Sequence, residues 1–206
     1  MMTLRRARRS LCFAAVVSAL SGAPTAASAQ NPRAAVLAAF ESEIAASPKR
    51  SATTTRLGDA EVEQELEVVL PDRFRLTVRH DGVAETAVVI GRTMYVREPT
   101  AWRRLLIYRE PLNDGVLPML KKALVDQITD IVPVGADALD GRATLRYEFL
   151  IDVAGLQLAG KTSVWLDAAT KLPVQIVFNG SWHGLAYHSI QRIEYNGSIQ
   201  IDAPIP

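Results

Sequence analysis

Apolar and polar residues alternate over long parts of this chain. In residues 61–70 and 74–79, one parity is mainly apolar and the other mainly charged. The apolar parity consists of Val62, Leu66, Val68, Leu70, Phe74, Leu76 and Val78. A period of two is typical of strands with one buried and one solvated face. We therefore predict an antiparallel hairpin turning at residues 71–73, in which Leu70 pairs with Phe74 and Glu65 lies opposite Arg79.

Further strands are expected along the rest of the chain. Turn residues at 80–82 and 91–92 delimit strands at 83–90 and 93–97. Later strands are predicted at 143–153, 162–167, 173–178, 185–195 and 198–201. About ten strands, nearly all in hairpin succession, favour one large antiparallel sheet.

Two stretches have helical spacing instead. Asn31-Pro32 provides an N-cap followed by proline at the first helical position, and apolar residues recur at helical spacing up to about Ser47. A second amphipathic helix is predicted from Asp114 to about Ile128, with Leu117 and Leu120 on its apolar stripe. Strands interrupted by a helix indicate the α+β class.

The first 29 residues have the three-part layout of an export signal. Four arginines within residues 5–9 precede ten apolar residues at 11–20, and Ala27-Ser28-Ala29 forms a small-x-small cleavage site. A membrane-spanning helix needs ~20 apolar residues. We therefore predict a cleaved signal peptide at 1–29, a single domain at 30–206 and a periplasmic location. The arginine cluster fits an ordinary signal or, more loosely, a twin-arginine one.

The net charge and the cysteine content bear on two questions: whether the protein binds nucleic acid and whether it carries a lipid anchor. Cys12 is the one cysteine and lies inside the predicted signal, without an apolar segment before it, so no lipid anchor is expected. Without the four arginines of that signal, the formal net charge of +1 becomes about −3. A mildly acidic domain is a poor ligand for nucleic acid.

Motifs of catalysis are missing from the sequence. The three histidines, His80, His183 and His188, do not have metal-ligand spacing. The string Gly180-Ser181-Trp182-His183-Gly184 has tryptophan where a G-x-S-x-G hydrolase has its nucleophile. A carboxylate pair for glycoside hydrolysis is the weaker alternative, since the acidic row at 61–67 is typical of a solvated strand face. We expect no enzymatic activity, no metal and no cofactor.

Three hairpin segments occur in a characteristic order: Leu70-Pro71-Asp72-Arg73-Phe74, then Ile90-Gly91-Arg92-Thr93-Met94-Tyr95, then Val164-Trp165-Leu166-Asp167 with Leu172-Pro173. In order and spacing they resemble the lipoprotein-carrier superfamily, which includes the LolA and LolB carriers and the LppX and LprG lipid-binding proteins. The chain departs from the LolA pattern at Leu70, where LolA has an arginine, and at Ile90, where the family has an aspartate. LolA-type lipoprotein release is therefore not implied.

The resemblance implies a strongly curved antiparallel sheet, an incomplete β-barrel, with helices covering a concave apolar face. It implies a soluble monomeric carrier for a lipid, a lipoprotein acyl chain or another hydrophobic ligand, with membrane donor and acceptor proteins as partners. Alternation and resemblance together predict an apolar lining of Leu66, Val68, Phe74, Leu76, Val88, Met94, Leu117, Leu120, Phe149, Ile151, Trp165 and Phe178.

Two alternatives accompany this prediction. Each predicted lining residue fits an ordinary filled core equally well, because alternation does not distinguish a core from a pocket. The same fold also serves in envelope-stress sensing, for which Arg97, Arg103 and Arg104 around Trp102 form a candidate docking patch.

Overall fold

The computed structural model describes residues 31–107 and 127–205. The predicted signal peptide lies outside these ranges, as do Leu117 and Leu120 of the predicted second helix. No helix in the described ranges combines the length and the apolar character that crossing a membrane requires.

A helix and eleven strands make up the described fold. Helix α1 spans Pro32–Ala45, and the Asn31 side chain accepts a hydrogen bond from the Arg33 N–H at its start, which confirms the predicted cap. The strands are β1 Lys49–Leu57, β2 Ala60–Val69, β3 Arg73–His80, β4 Val83–Ile90, β5 Thr93–Arg97, β6 Trp102–Leu106, β7 Ile128–Leu139, β8 Arg142–Val153, β9 Leu158–Asp167, β10 Pro173–Trp182 and β11 Leu185–Tyr195.

All eleven strands belong to one antiparallel sheet, as predicted. Their order is β6-β5-β4-β3-β2-β1-β11-β10-β9-β8-β7, so two meanders meet where β1 pairs with β11. Strands β6 and β7 are the two edges, and the sheet is open between them. The three hairpin motifs of the sequence fall on the β2–β3, β4–β5 and β9–β10 connections.

Several predicted elements were wrong. Strands β1, β6 and β7 were not predicted, and Ile128 begins β7 rather than ending a helix. Residues 198–201 were predicted as a strand but form none. They belong instead to a C-terminal segment, residues 196–205, that lies against the sheet.

The predicted register of the first hairpin is wrong by two residues. Val68 pairs with Phe74 and Leu66 with Leu76, whereas Leu70 lies in the turn. The Leu70 backbone N–H donates to the Ser47 hydroxyl at 2.8 Å, which removes it from the ladder. A shift of two keeps each side chain on its face, so the predicted apolar and charged parities survive.

The two faces of the sheet have separate cores. We call the face that contacts α1 the inner face. Its core joins Val36 and Ala39 of the helix to Phe149, Val164 and Leu166. The core of the opposite, outer face joins Val88 and Tyr95 to Ile199 and Ile201 of the C-terminal segment. Helix α1 and the C-terminal segment therefore cover opposite faces of the sheet.

Candidate ligand-binding face

Strand pairing places five of the predicted lining residues side by side on the inner face. Direct partners share a face of the sheet, and Leu66 pairs with Leu76, Val68 with Phe74, and Met94 with Val89. We call Leu66, Val68, Phe74, Leu76 and Met94 the meander patch. Val68 is 5% exposed, while the other four side chains are half-buried.

A second apolar group lies on the same face in the C-terminal meander. Phe149 is fully buried, Phe178 is buried and Ile151 is half-buried. Phe40 of α1 meets Phe149 edge to face, with 6.2 Å between ring centroids. Helix α1 therefore packs Phe149 and Ile151 of this group into an ordinary core. In the described ranges, the cluster around the helix draws on β7 to β10 and includes no residue of the meander patch.

A polar strip lies on the inner face of β1 and β11, where the two meanders meet. Its side chains are Thr53 and Thr55 of β1 with Ser189 and Gln191 of β11, and Thr53 pairs with Gln191 and Thr55 with Ser189. All four are half-buried. On β1, the direct partners of the meander patch are Lys49 and Ser51, whereas Thr53 and Thr55 pair with Gln64 and Val62 of β2. The strip therefore lies beside the patch on the inner face of the two central strands. The sequence prediction missed this strip because it did not identify β1.

The structure places two predicted lining residues on the outer face. Val88 is 2% exposed and packs in the cluster of Tyr95, Ile199 and Ile201. The prediction that Val88 lines the inner face with its neighbours is therefore corrected, because the C-terminal segment covers it from the other side.

Trp165 also lies on the outer face. Its indole Nε1–H donates to Asp137 Oδ2 at 2.9 Å, and the Arg146 guanidinium lies 4.9 Å from its ring centroid. The indole hydrogen bond, followed by one from the Ala138 N–H, lowers the pKa of Asp137. Trp165 is therefore held by polar partners and does not join the apolar lining.

Glycines shape the inner face near Phe178. Gly160 of β9 pairs directly with Gly180 of β10, and a Cβ on Gly160 would lie 2.6 Å from the Phe178 ring. The ring therefore lies over a backbone that bears no side chain. Phe178 also meets Tyr187 edge to face, with 5.3 Å between centroids. Only the glycines permit this approach.

A separate cluster of polar groups lies where β2 begins and β3 ends. A groove of about 390 Å³ lies there, lined in part by Glu61, Glu63, Arg79 and His80. The His80 ring pairs with Asp81 at 3.1 Å and contacts the Glu61 carbonyl at 3.2 Å. Among the residues of 31–107 and 127–205, no three His, Cys, Asp or Glu side chains are grouped so as to hold a metal ion.

The other two histidines contact amide side chains. His183 Nδ1 is 3.2 Å from Gln157 Oε1, and His188 Nδ1 is 2.6 Å from Asn179 Oδ1. These contacts suit histidines that orient loops and strands, and neither places the ring beside a nucleophile.

Solved structures share this architecture. The chain is similar to the lipoprotein LppX of Mycobacterium tuberculosis, with a TM-score of 0.58 and 11% identity over 83% of this chain and 98% of that one. It is also similar to LprF from Mycobacterium bovis, with a TM-score of 0.57 and 13% identity over 85% and 97% of the two chains.

A third similarity is to the crystal structure of MucB in complex with MucA(peri), with a TM-score of 0.50 and 16% identity. It covers 84% of this chain and 59% of the matched one. No protein-family model and no curated protein matches the sequence. The chain therefore has the LolA/LppX-like fold, as the hairpin motifs predicted.

Proposed function

We propose that this protein is exported to the periplasm, where it binds and carries an amphipathic molecule with at least one aliphatic chain. The meander patch carries this proposal. Its side chains lie on the same face as the polar strip, and four of them are only half-buried. Each methylene moved from water onto such a surface contributes about 0.8 kcal/mol. A contiguous apolar surface therefore suits a lipid or an acyl group.

The polar strip indicates the chemistry of the part of the ligand outside its aliphatic chain. Hydroxyl and amide groups of Thr53, Thr55, Ser189 and Gln191 offer donors and acceptors without a charge. An uncharged polar part, such as an ester linkage or a hydroxylated group, pairs with them at little desolvation cost. The proposed ligand thus has its chain on the meander patch and its polar linkage on the strip. No catalytic step is part of this proposal.

The sensor alternative has less support. Two of its three predicted docking arginines have partners within the chain, since Arg97 lies 5.5 Å from the Trp102 centroid and Arg103 pairs with Glu98 at 2.6 Å. Trp102 itself packs against the outer-face cluster. These contacts favour a structural role for this region over a protein-docking role.

Ligand uptake is the direct test. The purified protein is extracted with organic solvent for mass spectrometry and, separately, titrated with a fluorescent fatty acid. We expect a co-purified lipid near stoichiometric amounts and saturable uptake of the probe. Leu76→Glu introduces a charge into the meander patch and should reduce uptake at least tenfold.

Ile190→Glu is the matched control, because Ile190 is an exposed apolar residue of the outer face. If Leu76→Glu unfolds the protein, Leu76→Trp is used instead, because its larger side chain fills the patch without adding a charge. Circular dichroism confirms folding of each variant. A clean extract together with no probe uptake by the folded wild-type protein contradicts the proposal.

A further inference from the structure

Two neighbouring loops at one end of the sheet carry exposed apolar side chains. One is the short turn Ala154–Leu156 between β8 and β9, and the other connects β10 to β11. Leu156 is 43% exposed, Trp182 38% and Leu185 52%. We call residues 153–158 and 182–187 together the apolar tip.

Hydrogen bonds and strand pairing hold the tip together. The His183 N–H donates to the Gln157 carbonyl at 3.0 Å, so the two loops are tied to each other. Trp182 pairs with Leu158 of β9 on one side and with Leu185 of β11 on the other. The apolar side chains therefore form a row across three strands, presented by backbone that is already ordered.

Aromatic contacts connect the tip to the inner face. Trp182 lies 6.3 Å from Tyr187 between ring centroids, and Tyr187 lies 5.3 Å from Phe178. Phe178 is 8% exposed and belongs to the inner face. The apolar surface thus continues from the exposed tip to the buried part of the sheet.

The sequence of the tip is free of charged side chains. Residues 153–160 and 172–187 contain no Asp, Glu, Lys or Arg, although these make up 22% of the chain. The adjoining Asp152 and Lys161 have the parity of the outer face, where Lys161 pairs with Glu148. On a third side, the Gly58 N–H donates to the Ala186 carbonyl, which brings the turn containing Asp59 beside the tip.

These features fit a lipid bilayer better than a protein partner. Tryptophan and tyrosine are enriched at the level of the lipid head groups, and charged residues are costly in the hydrocarbon below that level. Protein interfaces surround their apolar centre with a polar rim and are enriched in arginine. Within its two loops the tip has no arginine, and its polar side chains Gln157 and His183 contact each other at 3.2 Å. We propose that the apolar tip inserts into the interface of a lipid bilayer and docks the protein on a membrane.

Vesicle binding tests this proposal without any bound ligand. Protein-free phosphatidylcholine vesicles are floated with the purified mature protein, residues 30–206, at low and high salt. We expect a bound fraction that changes little with salt, because the contact is apolar. In a Trp102→Phe/Trp165→Phe variant, the emission of Trp182 should shift to shorter wavelength and be quenched by phosphatidylcholine with brominated chains.

Substitutions locate the contact. Trp182→Ser with Leu185→Ser should weaken vesicle binding roughly tenfold or more, since two side chains then no longer enter the interface. Leu150→Ser is the matched control, because Leu150 is also 43% exposed but belongs to the outer face of β8. It should leave binding unchanged. If the Trp182 variant unfolds, Leu156→Ser alone serves as the tip substitution.

Three results would overturn docking by the tip: no binding to protein-free vesicles, binding unaffected by the tip substitutions, or binding only to membranes that contain proteins. The last result would indicate a protein receptor. Docking and ligand carriage remain distinguishable, because fatty-acid uptake in solution does not require the tip. A protein that floats with vesicles but takes up no probe retains the docking proposal and loses the carrier proposal.

Discussion

Asp167 organises the turn between β9 and β10. Its Oδ1 accepts hydrogen bonds from the Thr170 N–H at 2.6 Å and the Thr170 hydroxyl at 2.9 Å, while Arg142 donates to Oδ2. The bond from the Thr170 N–H, with those from Arg142 and the Thr170 hydroxyl, lowers the pKa of Asp167 to about 2. The Asp167 side chain is 9% exposed, so solvent screens these contacts little.

The lowered pKa predicts an acid-sensitive contribution to stability. A carboxylate whose folded pKa lies below its unfolded value near 3.9 stabilises the fold above about pH 4, and this contribution disappears as the pH falls towards 2. It amounts to about 2 kcal/mol. Asp167→Asn should remove it at neutral pH and flatten the loss of unfolding free energy between about pH 4 and 2.

Urea denaturation at several pH values measures this effect. Asp140→Asn is a suitable control, because the Asp140 side chain is 73% exposed and 3.7 Å from its partner Arg192. Parallel pH profiles for the wild type and Asp167→Asn would show that Asp167 does not carry the acid sensitivity.

We predict that any side chain at position 160 lowers the stability of the fold. An alanine Cβ there would lie 2.5 Å from the Asn179 carbonyl oxygen and 2.7 Å from the Gly180 Cα, both of them backbone atoms. Because backbone cannot swing aside, Gly160→Ala should cost about 2 kcal/mol or more of unfolding free energy. Gly155→Ala meets nothing within 4 Å and should be nearly neutral in the same thermal and urea unfolding measurements. Equal stabilities of the two variants would refute this steric argument.

At the scale of elements, the C-terminal segment is predicted to be a stabilising part of the outer-face core. Ile201 is 1% exposed, and its carbonyl accepts a hydrogen bond from Arg73 at 2.8 Å. Ile201→Ala should cost about 3 kcal/mol through lost burial and the remaining cavity. The neighbouring Gln200 is exposed, so Gln200→Ala should change stability little. A melting temperature that is the same for both variants would argue against a packed segment.

Strands whose apolar residues occupy every second position could be predicted from the sequence. Strands without this alternation could not. Strands β2, β3 and β8 alternate clearly, so their existence and their inner-face residues followed from the sequence. Strand β1 reads KRSATTTRL and has Ala52 as its one apolar residue before Leu57, so no alternation marked it as a strand. Strand β7 has two irregularities in its pairing, which interrupt any regular period.

The outer-face positions of Val88 and Trp165 have a common cause. Each lies in a run where both parities are apolar, Val88 beside Val89 and Trp165 between Val164 and Leu166. Alternation does not assign a face in such runs, and only the covering segments decide. Ile199 and Ile201 also alternate, which is why residues 198–201 resembled a strand. Their alternation serves packing against the sheet face instead.

At the scale of the whole molecule, helix α1 and the C-terminal segment cover different halves of the sheet. Helix α1 packs on β7 and β10 at the inner face. The C-terminal segment packs on residues of β2, β4, β5 and β6 at the outer face. The C-terminal segment therefore supports the N-terminal meander from its outer face. The meander patch lies on the opposite, inner face, which this segment does not cover.

The openness of the described sheet between β6 and β7 has a consequence for the ligands that the proposed carrier would accept. In a closed sheet, the number of strands and their stagger fix the diameter. An open sheet instead changes its bend by small adjustments of twist at every strand, while each ladder of hydrogen bonds stays intact. If the protein carries the proposed ligand, room for a bulkier chain would cost elastic deformation and no broken strand pairing, so we expect weak discrimination by chain length among ligands that share the same polar linkage.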